Sequence, residues 1–264
     1  MSARSFILVV LLVAGEAYFC FAEESLVRAP LAPALDFQSA GSFFDTIDKQ
    51  CQPNWSQIVH PPAAPVSPAR EALSFEIGVL VSDAFAAIQA HNGQSVKNTA
   101  HEITALTKKL NLDQGILARN RSISDFADKG AWNELQIEIN AAQKDIISGM
   151  QRQNDRDLMV FLLAGSWVRQ IDIAATLATA NPKPELAVLL AQPAAADELL
   201  AGFGILSEPA RKGKLTLMLV QGILAAKDIM LKTSGGALPD SAIKELASTM
   251  AQILNQMSAP VPRP

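Results

Sequence analysis

Cysteine and histidine are nearly missing from this chain, with two of one and three of the other in 264 residues. Two thiols cannot build a disulfide framework. His60, His91 and His101 lie on separate segments without metal-ligand spacing, so no metal site is expected. Aromatic residues make up only 6%, with a single tyrosine, while alanine is abundant. Strands favour β-branched and aromatic side chains, so this composition points to closely packed helices. Charge is also sparse, at 18% with a net value of −4. A pI near 5.4 excludes the basic footprint that nucleic acid or an anionic membrane surface requires.

Catalytic and cofactor signatures are missing too. Gly202-Phe203-Gly204 lacks the third glycine and the preceding strand of a dinucleotide fingerprint, and no phosphate-binding loop occurs. His101-Glu102 opens like a zinc-protease helix, but Ala105 stands where the second histidine belongs. Ser241 and Lys244 match Ser-x-x-Lys, but the Lys-Thr-Ser-Gly stretch at 232–235 precedes them, the reverse of the order in penicillin-interacting enzymes. No cofactor is therefore expected.

What is present begins with a leader. Arg4 gives a short positive start, Phe6 to Gly15 is apolar, and Cys20-Phe21-Ala22 offers small residues for a signal peptidase. Residues 1–22 read as a signal peptide, leaving Glu23 as the mature N-terminus. The alternative is a retained anchor, since the 17 residues from Phe6 to Ala22 carry only Glu16 as a charge. Cleavage implies an exported, periplasmic protein with no transmembrane span afterwards. Cys51 is then the only thiol, read either as an intermolecular disulfide or, more simply, as a free thiol.

Residues 23–67 hold Pro30, Pro33, Pro53, Pro61, Pro62 and Pro65, and Pro68 follows. Such density predicts a flexible, extended arm with one short helical piece. Phe43, Phe44, Ile47 and Trp55 are its large apolar groups, serving either to bind a protein partner or to pack the arm on its own domain. A helical body is predicted over 68–258, followed by a disordered tail, 259–264. The fold class is all-α: a single irregular bundle of about seven to eight helices. No 34-residue period marks a tandem repeat.

Two predicted helices are apolar nearly all round, one from Pro68 to about His91 and one from Asp157 to Ala180. Such helices belong inside a bundle or a membrane. The unbroken apolar run of the second, Leu158 to Val168, is 11 residues, about half a bilayer span. The second is therefore read as the central helix of a bundle. Each of the two carries a narrow polar stripe: Glu76 and Asp83 on the first, Arg169 and Asp172 on the second. Buried charges need partners, so the stripes are expected to meet. Three uses are open: a salt-bridged register pin, a small-ligand pocket, or a catalytic carboxylate pair. The sequence reads best as a non-catalytic binding or scaffolding protein. The rival is a ligand-binding or hydrolytic site built on Glu76, Asp83, Arg169 and Asp172.

Overall fold

The structure, a computed structural model, describes residues 39–58, 67–112 and 116–258. The residues read as a signal peptide, 1–22, most of the prolines of the expected arm and the tail, 259–264, lie outside them. In chain order the helices are α1 (Ala40–Cys51), α2 (Arg70–Gln89), α3 (Gly93–Lys109), α4 (Ile116–Lys129), α5 (Trp132–Arg152), α6 (Arg156–Ala180), α7 (Pro184–Leu189), α8 (Pro193–Gly204), α9 (Glu208–Arg211), α10 (Lys214–Met230) and α11 (Asp240–Ser258). A 3-10 turn at Trp55–Gln57 follows α1. Among the described residues there is no strand, only an isolated bridge between Ser234 and Ala237. The fold is all-α.

Two helices organise the rest. Helix α2 packs on α3, α5 and α6, while α3, α4 and α5 pack in sequence, so α2 to α5 close one ring of four. Helices α6, α8, α10 and α11 close a second ring in the same way. Each ring buries a different face of α2 or α6, and the two helices bury their remaining faces against each other. That is why neither has a polar side. Over α6, an 18-residue window is apolar enough to cross a membrane, with mean hydropathy 1.4, and 89% of it is buried inside the protein. Counting only the unbroken apolar run understates the helix, because Arg169, Gln170 and Asp172 are buried along with it. The stretch Pro184–Gly204 meets the same length and composition test but is only 39% buried.

Outer helices show ordinary one-sided patterns. On α11, Ile243, Leu246, Met250, Ile253 and Met257 are all buried, and the helix packs on α6 and α10. On α5, Leu135, Ile139 and Ile146 are buried while Ile137 faces out. The segment after Ser207 departs from the single long helix its sequence predicts. Gly213 takes an extended conformation (ψ 144°) that ends α9 after one turn, and α10 restarts at Lys214. Thr216 Oγ1 donates to the Ala210 carbonyl at 2.6 Å and closes the kink.

The domain boundary expected at Pro68 is corrected. Ser39 caps α1 by accepting from the Ser42 amide at 3.2 Å. Phe43, Phe44, Ile47, Cys51 and Trp55 are then no more than 5% exposed. Helix α1 packs on α2, α6 and α7. Trp55 meets the Phe44 ring edge-on at 5.6 Å, and its Nε1 donates to Asp48 Oδ1 at 2.9 Å. Residues 39–58 are therefore part of the body. Their apolar groups are buried in it and present no surface for a partner. Proline density averaged over the whole arm conceals a 19-residue window, 34–52, that holds none.

Candidate functional site

Helices α2 and α6 lie side by side and run parallel. Ser74 Oγ donates to the Leu158 carbonyl at 2.6 Å, and Ser82 Oγ donates to the Ser166 carbonyl at 3.0 Å. Both pairs are 84 residues apart, so the two chains advance together. Between these bonds the backbones almost touch. A methyl group on Gly78 would overlap the Leu162 carbonyl oxygen, and one on Gly165 would overlap the Phe75 carbonyl oxygen. Each glycine thus faces the carbonyl three residues before the other, which gives the crossing a local two-fold character. Glycine inside a helix costs about 1 kcal/mol relative to alanine, so its presence at both points reflects this close approach.

The charged cluster sits one turn beyond. Arg169 Nε donates to Asp83 Oδ1 at 2.7 Å across the helix pair, and its Nη1 donates to Asp172 Oδ2 at 2.5 Å along α6. Asp83 is 3% exposed, and Arg169 and Asp172 are each 7% exposed. Burial opposes the charge on Arg169, but the carboxylates of Asp83 and Asp172 outweigh it and hold the guanidinium above its ordinary value. Burial lifts the Asp172 carboxyl above its ordinary value despite the neighbouring Arg169. Glu76 lies on α2 seven residues before Asp83 and is half-buried.

A neutral network adjoins the charges. Ser82 Oγ lies 3.0 Å from Ser166 Oγ, which also accepts from Gln170 Nε2 at 3.0 Å. These residues escape a search for charged or nucleophilic motifs. Their sequence signal was the Ser74, Gly78, Ser82 spacing of four, which marks a face narrow enough for another helix backbone. Asp45 on α1 was also missed. It accepts from Gln89 at 2.6 Å and from Gln136 at 2.7 Å, joining α1 to α2 and α5.

No family model, curated protein or solved structure matches the chain.

Chemistry at the cluster is limited by access. None of the described cavities has Asp83, Arg169 or Asp172 in its wall. The intermolecular disulfide considered for Cys51 is corrected. Cys51 is 1% exposed at the end of α1, its carbonyl accepts from Lys183 Nζ, and burial pushes the thiol up. A buried thiol cannot reach a second chain without unfolding. Among the described residues, no group of three His, Cys, Asp or Glu is placed to hold a metal ion. His91 stacks on Trp132 with ring centres 4.8 Å apart, and His60 lies outside the described residues.

Proposed function

We propose that this chain is an exported, periplasmic, non-catalytic binding or scaffolding protein. One observation carries the reading. The charge cluster Asp83–Arg169–Asp172 is at most 7% exposed and joins the two central helices, which supports a role in fixing their register. A hydrolytic or ligand-binding role for the same groups requires solvent or substrate to reach them, and their burial opposes that.

The test compares wild type with a D83N/R169M/D172N variant, after circular dichroism shows both to be folded. In gel filtration of native envelope extract, both should elute within the same larger assembly. Elution of the wild type as the bare chain would overturn the reading. So would loss of the assembly in the folded variant. Export is tested separately by intact mass. Protein beginning at Glu23 supports it, and protein retaining Met1–Ala22 opposes it.

A further inference from the structure

Helix α10 and the residue that follows it carry an apolar row on their outer side. Leu217, Leu224 and Leu231 are 55%, 45% and 57% exposed and recur every seven residues. Single exposed leucines are ordinary, but a heptad repeat keeps all three on one face, the spacing with which one helix meets another. The polar residues between them follow a pattern of their own. Lys214, Leu217, Gln221, Leu224 and Asp228 are all exposed and succeed one another at steps of three, four, three and four. Read from either end, the stripe is a charge, a leucine, a glutamine, a leucine and the opposite charge.

Both charges stand at the unfavourable end of their helix. Lys214 opens α10, where the dipole is positive, and Asp228 lies in its last turn, where the dipole is negative. Nearby charges are neutralised within the chain: Lys212 by Glu208, Lys227 by Asp197 and Lys232 by Glu245. Lys214 and Asp228 have no ion pair among the described residues.

We propose that this face docks on the same face of a second copy, with the two α10 helices antiparallel about a two-fold axis at Gln221. A two-fold contact is made twice, so a stripe can serve as its own partner only if its chemistry is self-complementary. This one is. Lys214 meets the partner's Asp228, Leu217 meets the partner's Leu224, and each charge gains a helix end of the opposite sign. A contact of one helix face is smaller than a standard stable interface, so the dissociation constant is on the order of 10–100 μM.

The test is sedimentation velocity of the purified full chain in low salt, where exposed charges are least screened. The wild type should dimerise across that concentration range. Leu224→Glu, at an exposed position that leaves the fold intact, should weaken the dimer by about tenfold or more. Lys214→Glu and Asp228→Lys should each weaken it by about tenfold, and the double exchange should restore it, because the pair is then remade with its signs reversed. Asp228→Lys also brings the net charge of −4 closer to zero, so association governed by overall charge would strengthen instead. The proposal is overturned by a wild type that stays monomeric well above 100 μM (on the order of tenfold the weaker limit), by an unaffected Leu224→Glu, by tighter association of Asp228→Lys, or by a double exchange that does not recover.

Discussion

Replacing Arg169 with methionine removes the cation of the buried cluster between α2 and α6, while keeping most of its volume. The Arg169–Asp83 pair is separated by 2.7 Å, and the side chains are 9% and 1% exposed. At an effective dielectric of about 20, charges that close attract by roughly 6 kcal/mol. Desolvation of both ions offsets most of that, so the pair itself contributes little net stability. Its removal is another matter. Asp83 would remain buried with its charge uncompensated, or would have to take up a proton, and the cost of stripping one member of such a pair is about 3–5 kcal/mol. That is a large share of a typical folding free energy of about 5–15 kcal/mol. Adding Asp83→Asn and Asp172→Asn should restore part of the loss, because no buried charge is then left alone. Urea unfolding of the single, double and triple variants measures each step and yields the coupling energy. A cost for Arg169→Met below about 1 kcal/mol would refute the reasoning, since a solvated pair behaves that way.

Gly165→Ala should destabilise by about 1–3 kcal/mol or more, because the obstacle to its methyl is the Phe75 backbone and not a side chain that can rotate; a thermal melt unchanged from wild type would show that the helices can part. Phe44→Ala should cost about 3–5 kcal/mol in denaturant unfolding, the value for a core aromatic; a near-zero effect would return residues 39–58 to the status of an arm. Cys51 should resist alkylation in the native protein and react at once in urea, and non-reducing electrophoresis should show no dimer. Asp172, whose folded value lies above its ordinary 3.8, binds its proton more tightly when folded. Its contribution is therefore fully present below that pH and lost as pH rises through the folded value. The stability of wild type minus that of Asp172→Asn should fall across this window, and a rising difference would contradict the assignment.

Patterns confined to a single helix were legible in the sequence. The seams of α5 and α11 recur at steps of three and four, and each faces one core, so periodicity alone identifies them. The wheel positions of Arg169 and Asp83 were also readable, because an arginine in so apolar a helix draws the eye to whatever charge its neighbour offers. The parallel direction of α2 and α6 was not readable. It depends on Ser74 and Ser82 finding carbonyls 84 residues away, and serine on its own is an unremarkable residue. The role of α1 was hidden for a different reason: the prolines spread over residues 23–67 mask a packed helix of only 12 residues that contains none. The cleft lined by Ala40, Lys144 and Trp167 could not be inferred at all, since it takes shape only where α1, α5 and α6 meet.

The parallel pairing of α2 and α6 also dictates an order of events during synthesis. Adjacent antiparallel helices can zip together as they emerge, but α2 must wait for a partner encoded after three intervening helices. At bacterial or eukaryotic elongation rates, that interval is roughly 5 to 20 seconds. Throughout it, the Ser74–Gly78–Ser82 face has no helix to receive it, although α3, α4 and α5 are already available to cover the other sides. The nascent chain is thus obliged to carry a half-finished, sticky intermediate whose completion requires long-range closure. Refolding slower than that of an up-and-down bundle of the same length is the expected consequence of this topology.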